Sequence, residues 1–454
     1  MPRQNLRLIT FVMLPFAAGF YLSYLFRSIN ALISGRLVSE LALGPADLGL
    51  LTSVYFLTFA AAQLPVGILL DRYGPRRIQS ALLLVAAAGA ALFGLSESFA
   101  ALVLGRALIG LGVAAALTAG LKATVLWFPK ERLPLINGCM VMLGGLGAAT
   151  ATAPAELLLG WTDWRGLFEL LAGVTAVCAL LIYIVVPEPA LAAPAHQGSA
   201  RQSLKTVYSD PRFWRLAPLA ATSVGTAWAL QGLWATAWLA DVEGLDRTAL
   251  VSHLFIMAVG LSMGALGLGI AADRLRRRGI GPETLLGLVS TLFIAVQLAL
   301  ILRFPLPSHL LWGFVAAVGA ATVLSYAIVA EYFPKEIAGR ANAALNVFHI
   351  GGAFILQYST GLVIQQWTTQ DGHYPAIAYQ WAFAINLALQ IAALLWFETA
   401  RIRVRRSLPP ARDLHGHRPS NRSALRASHL HPLGQLKTQQ TSARSLCPRF
   451  QQVA

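Results

Sequence analysis

Stretch after stretch of this chain is apolar for about the 20 residues that a helix needs to cross a bilayer. Twelve fall near 8–34, 47–70, 78–96, 99–127, 134–157, 165–187, 213–239, 247–271, 284–302, 309–333, 340–364 and 378–398. The expected fold class is therefore an all-α integral membrane protein of 12 transmembrane helices. Composition agrees: 56% of residues are hydrophobic, 12% are charged and the mean hydropathy is +0.62. A soluble domain carries about 25% charged residues, so most of this chain is not water-soluble.

The net charge of +15 does not mark a nucleic-acid binder. Eleven of the 35 basic residues, against one acid, lie in 401–454, and the remainder is close to balanced. That tail is rich in Arg, Ser, His and Pro without apolar periodicity, so disorder is expected there. Arg401, Arg403, Arg405 and Arg406 directly follow the last span, as a stop-transfer cluster or a contact for anionic lipid. The 3 cysteines, Cys139, Cys178 and Cys447, have neither metal-ligand spacing nor a disulfide pattern. No metal and no cofactor is expected. The N-terminus resembles a signal peptide, but its apolar run continues past Phe26 and reads as an uncleaved first span.

Short cytoplasmic loops collect Lys and Arg. With the N-terminus inside, the loops on that side up to residue 400 hold 17 basic residues and the opposite side four, Arg36, Arg165, Arg247 and Arg303. Both termini are expected in the cytoplasm, in what reads as a bacterial inner membrane.

The chain also repeats itself. Gly67-Ile68-Leu69-Leu70-Asp71-Arg72-Tyr73-Gly74-Pro75-Arg76-Arg77 returns more weakly as Gly269-Ile270-Ala271-Ala272-Asp273-Arg274 with further arginines. Phe128-Pro129-Lys130-Glu131, followed by Asn137, returns as Phe333-Pro334-Lys335-Glu336, followed by Asn342. Two matches at nearly one offset mark a duplicated membrane bundle. The expected organisation is an N-terminal six-helix bundle over 1–187, a polar linker over 188–212, a C-terminal bundle over 213–400 and the tail.

The turn after the second span, with its Gly67, Asp71, Arg72, Gly74, Arg76 and Arg77, resembles motif A of the major facilitator superfamily. The duplicate at Asp273 and Arg274 is also typical of that family. Leu102-Val103-Leu104-Gly105-Arg106-Ala107-Leu108-Ile109-Gly110-Leu111-Gly112 looks like its motif B. The resemblance covers about residues 8–400. It implies two pseudo-symmetric six-helix bundles and a secondary transporter that alternates access around a midplane site. Pro75 stands where the family often has a basic residue. Asp71, past a helix C-terminus, needs cations beside it. The turn reads either as a conformational latch between the halves or as topology charges on a solvated loop.

Ionisable residues inside spans are costly and are site candidates by default. Tyr24, Arg27 and Asn30 recur at three-residue spacing, and a guanidinium beside an amide and a phenol suits an anion. Either Arg27 faces a central cavity or it snorkels to the outer interface. The stretch from Arg27 to Ala31-Leu32 resembles the organic-phosphate and organic-anion branches of the superfamily. Those phosphate carriers also use a cation in span seven, where this chain has Ala229. Arg106 stands as a proton-transfer residue, by the same resemblance, or as a tie between spans. Lys122 is a substrate candidate that also lies within snorkelling reach of the cytoplasmic face. Glu156, near the outer end of span five, is a candidate for proton coupling or an interface anchor.

Gln231 and Trp234 in span seven, and Asn346 and His349 in span eleven, are further candidates for lining the cavity. Helix-to-helix hydrogen bonding is their plainer role, as it is for Gln63. Drug/proton antiporters of the family show a Gly-Pro step in span five, and here Ala153 precedes Pro154. The expected function is transport of a small polar, anionic solute by a monomer in contact with membrane lipid, with the proton as the candidate coupling ion. The alternatives are proton-driven efflux of amphipathic compounds and a non-transporting sensor on the same fold. The sensor reading expects a large extramembrane domain or a broken motif A. No nucleophile–base–acid set or phosphate loop suggests an enzyme.

Overall fold

Helix is the regular structure in the computed structural model, which describes residues 7–129, 132–187 and 200–407. Among them β pairing is limited to one isolated bridge between Gln370 and His373. The first helix, α1, covers Ile9–Leu41, and α2 covers Pro45–Leu95. At 1.5 Å per residue the 51 residues of α2 would measure about 76 Å, more than twice the ~30 Å hydrocarbon core of a bilayer. The helix breaks at Gly74, whose φ of 81° and ψ of 162° are not helical, with Pro75 next. Glycine takes that positive φ without the steric cost that a Cβ brings. One continuous element is thus two crossings hinged at the charged turn.

The next elements are α3 (Phe99–Trp127), α4 (Leu133–Thr150), α5 (Ala153–Leu159) and α6 (Trp164–Val185). Pro154 cannot donate to an existing helix, and α4 and α5 meet at a 41° bend just before it. Of the expected linker, 188–199 lies outside the described residues, as do Lys130, Glu131 and 408–454. The rest of the linker is not plain coil. It holds α7 (Ala200–Ser209), docked through the buried Val207 and a hydrogen bond from Arg340 to Ser203 Oγ.

The second set begins with α8 (Pro211–Ala229), capped by the side chain of Asp210. A hydrogen bond from Arg212 holds the Asp210 carboxyl below its usual range. A π turn over Leu230–Trp234 leads into α9 (Ala235–Asp241). There follow α10 (Arg247–Arg277), α11 (Pro282–Ile301), α12 (Ser308–Tyr332), α13 (Lys335–Ile364) and α14 (Ala376–Ser407). The tail was expected to begin at 401, but α14 runs on to Ser407.

Among the described residues 9 helices are long and apolar enough to span a membrane, or 10 with the bent pair. Dividing α2 at Gly74 adds one more. The expected seventh span is helical throughout but is not among those counted.

The helices are apolar on both faces, as lipid requires. In α6, Leu167, Phe168, Leu171, Ala179 and Ile182 are buried, while Leu170, Val174, Val177, Leu181 and Ile184 form an exposed apolar stripe. With little hydrophobic drive between helices in lipid, close packing of small residues holds them together. A Cβ on Gly147 of α4 would lie 2.1 Å from the Tyr21 carbonyl oxygen of α1. Its counterpart in the second set is Gly352 of α13, where a Cβ would lie 2.4 Å from the Ala221 carbonyl oxygen of α8. The sequence repeat thus has a packing equivalent.

Candidate functional site

The helices leave a cavity of about 120 Å³, room for about four waters at ~30 Å³ each or one small solute. Helices from both sets wall it: α1 gives Tyr24 and Arg27, α2 gives Phe56 and Gln63, α8 gives Trp228 and α13 gives Asn346. Among the described residues Arg27 is its one cation, and no acid lines it. The Arg27 guanidinium carbon sits 4.0 Å from the centroid of the Tyr24 ring and 4.7 Å from that of Trp228. Cation–π attraction holds such a head without a counter-ion. Among the described residues no carboxylate pairs with Arg27, so its N–H fork remains available to a planar anion.

Across the cavity Tyr326 OH donates to Asn346 Oδ1 at 2.5 Å, and Asn346 Nδ2 donates to Gln63 Oε1 at 3.1 Å. Gln63 Nε2 in turn donates to the carbonyls of Phe59 and Ala114, each at 3.3 Å. This chain joins α2, α12 and α13 along the wall.

Several sequence candidates lie elsewhere. Asn30 is wholly buried, with Nδ2 donating to Thr52 Oγ1 at 2.5 Å and Oδ1 accepting from Arg106. Arg106 also donates to the Phe26 carbonyl at 2.9 Å and lies over the Phe93 and Phe168 rings, so it ties α3 to α1. Trp234 is buried and donates to the Gln357 carbonyl at 3.0 Å. Gln231 is half-buried in the π turn and outside the cavity wall. His349 lies behind the wall, buried against Tyr326 and hydrogen-bonded to Ser325 Oγ at 3.1 Å.

The two ends of the molecule are tied differently. At the motif A end, Lys122 Nζ donates to Asp71 Oδ1 at 2.6 Å and to the Leu70 carbonyl at 2.7 Å. Arg76 Nε donates to the Tyr183 carbonyl at 2.8 Å, and Arg72 lies over the Tyr73 ring. Gly67 and Arg77 are exposed there, as are Asp273 and Arg274 on α10, where Arg276 pairs with Glu331 at 2.9 Å. Each of these ion pairs joins helices of the same sequence repeat. At the opposite end same-repeat pairs such as Arg165 with Glu40 stand beside one cluster in which Arg247 crosses the repeats. Arg247 Nε donates to Glu156 Oε1 at 2.9 Å and its Nη2 to the Leu32 carbonyl at 2.9 Å. Arg36 lies 3.8 Å from the same carboxylate.

Sequence reasoning missed this three-residue ion cluster, because Arg36 and Arg247 counted only as outer-loop charges. It also missed the aromatic wall, although Phe20, Tyr24 and Arg27, and Tyr55, Phe59 and Gln63, recur at the three- and four-residue steps of one helix face.

The chain is thus a polytopic helical membrane protein with a solute-sized cavity between two sequence-related helix sets. Residues 16–321 match the Major Facilitator Superfamily profile, and the chain belongs to that superfamily. It is 25% identical over 276 residues to a probable sulfoacetate transporter of Cupriavidus necator, covering 57% of this chain. To a probable L-galactonate transporter of Escherichia coli it is 27% identical over 293 residues, covering 62% of this chain. The chain spans 64% of the length of each of these two relatives, which are named as transporters rather than enzymes. Its fold is similar to that of a bacterial homologue of the human lysosomal transporter Spinster, in an inward-facing, unoccupied crystal structure. There the TM-score is 0.73 at 17% identity, over 90% of this chain and 100% of the other.

Proposed function

We propose that this protein is a secondary transporter of a small organic anion, with Arg27 as the anchor for its negative group. The observation that carries the reading is a guanidinium gripped by two aromatic rings in a cavity that no acid lines among the described residues. A cation so placed in a membrane interior is costly, and an entering anion supplies the missing countercharge. The relatives support the sign of the charge, since sulfoacetate and L-galactonate are both carboxylates. The halves 1–187 and 213–400 rock about the cavity, with both termini in the cytoplasm of a bacterial cell. The cross-repeat ties at Glu156 and the same-repeat ties at Asp71 favour a state closed at the outer end and open to the cytoplasm.

The test is uptake of radiolabelled sulfoacetate, L-galactonate and benzoate into vesicles containing the purified full chain. Arg27→Ala is expected to lower uptake of the transported anion at least 100-fold, and Arg27→Lys to keep a small part of it. Anion uptake that Arg27→Ala leaves intact would overturn the assignment, as would the absence of uptake for every anion tried.

A further inference from the structure

We infer that the solute is a flat, ring-bearing monocarboxylate, an aryl or similar cyclic acid, rather than a polyhydroxylated or dianionic one. This rests on the anion reading above and narrows it. Seven of the 16 residues that line the cavity carry aromatic rings. Phe56 and Trp228 stack at 18° with centroids 6.1 Å apart, which presents flat apolar surface beside the Arg27 head. Aromatic surfaces favour rings in stacked or edge-on contact.

Most hydrogen-bonding side chains of the wall opposite Arg27 point to the same class, because they are already bonded to one another or to backbone carbonyls. Tyr326, Asn346 and Gln63 form a closed chain. Tyr55 OH donates to the Ser23 carbonyl at 3.2 Å, and Thr118 Oγ1 to the Ala115 carbonyl at 3.1 Å. Each hydroxyl of a sugar acid would lose its water in this cavity and would need a partner in exchange. Apart from Arg27, the side chains of Ser23, Tyr24 and Trp228 are the lining groups without a hydrogen bond among the described residues, fewer than the hydroxyls of an aldonic acid. Charge sets the second limit, since one cation without an acid neutralises one negative charge. A dianion would leave the second uncompensated in a largely apolar box.

The experiment measures binding to the full chain in detergent, read by tryptophan fluorescence and checked by calorimetry. The probes are benzoate, cyclohexanecarboxylate, L-galactonate, sulfoacetate and the uncharged benzamide. Benzoate is expected to bind at least 10-fold tighter than L-galactonate or sulfoacetate, and benzamide at least 10-fold weaker than benzoate. Trp228→Ala should weaken benzoate at least 10-fold by calorimetry, and Trp228→Phe should restore most of that loss. Arg27-dependent binding of L-galactonate or sulfoacetate as tight as that of benzoate overturns the ring-acid class and leaves the anion reading standing. Equal binding of benzamide and benzoate, or binding indifferent to Arg27→Ala, overturns both. The wild-type panel decides the class even if a Trp228 variant fails to fold.

Discussion

Arg106 of α3 is bonded to Asn30 of α1. Its guanidinium donates to the Asn30 side-chain oxygen and, 2.9 Å away, to the Phe26 carbonyl, with the Phe93 and Phe168 rings on its flanks. The bond holds together two helices whose partners lie 76 and 80 positions apart in the chain. Arg106→Ala strands two buried acceptors, at about 1–3 kcal/mol each. It is expected to lower the thermal midpoint of the purified protein by several degrees. Arg106→Lys keeps the charge but not the fork that reaches both acceptors, so it should rescue only part of the loss. Because Arg106 does not line the cavity, the affinity of any surviving protein for its anion should stay within about threefold, the scatter expected of an indirect effect. An unchanged midpoint would falsify the tie.

The same pair shows how far the sequence could be read. Tyr24, Arg27 and Asn30 step by three residues, and each such step falls about 60° short of a full turn. Over two steps Asn30 has swung about 120° from Tyr24, away from the cavity and toward α3. Neighbours on a helix share a face only over a short distance. Spans, duplication and the charged turn were legible because length, repetition and charge are local properties of the chain. The ion cluster of Arg36, Glu156 and Arg247 was not, since the spacing 36, 156, 247 has meaning only after the helices pack. Lys122 fell between the two cases. Its depth allowed either a cavity or an interface position, and the acceptor on α2 decided for the Asp71 end.

The Lys122–Asp71 pair should govern rate more than folding. The two side chains are 27% and 76% exposed, and ion pairs in such settings contribute about 0–1 kcal/mol. Lys122→Met and Asp71→Asn are therefore expected to shift the thermal midpoint by only a degree or two. Each removes the ion pair between α3 and the residues ahead of the hinge at Gly74, and Lys122→Met also removes the bond to the Leu70 carbonyl. Transport velocity should fall about 3- to 10-fold, the factor that corresponds to about 0.7–1.4 kcal/mol, at unchanged anion affinity. Initial-rate uptake paired with equilibrium binding separates the two effects, and a loss of affinity instead of velocity would count against the assignment.

Asn346 should act on solute selection. In the wild-type wall it accepts from Tyr326 and donates to Gln63, which leaves neither partner free. Asn346→Ala releases the Tyr326 hydroxyl and the Gln63 carbonyl to face the solute. The affinity ratio of benzoate to L-galactonate should then narrow about 3- to 10-fold, by gain for the hydroxylated acid, since a net hydrogen bond contributes about 0.5–1.5 kcal/mol. Calorimetric titration of both acids against the variant reads this directly. A ratio that stays fixed or widens would argue against a wall of mutually satisfied groups.

The Glu156 cluster is the most direct handle on conformation, because Arg247 of α10 reaches across the repeats to Glu156 of α5 and the Leu32 carbonyl of α1. Its side chains are 25–37% exposed, so each pair is partly screened and contributes about 1 kcal/mol. A change of that size moves a two-state population about fivefold, enough to measure without unfolding the protein. Glu156→Gln and Arg247→Ala should both raise the fraction open at this end. The readout is the distance between spin labels at Ser39→Cys and Thr248→Cys, both exposed positions, in a background lacking Cys139, Cys178 and Cys447. Wild type should give one short distance, and the variants a second, longer population. The exchange Glu156→Arg with Arg247→Glu should recover the short distance only in part, because Arg36 then faces an arginine where it had faced a carboxylate. Added salt should mimic the single variants, as screening weakens an exposed cluster. If the distance distribution is the same in all four proteins, the cluster does not hold that end closed.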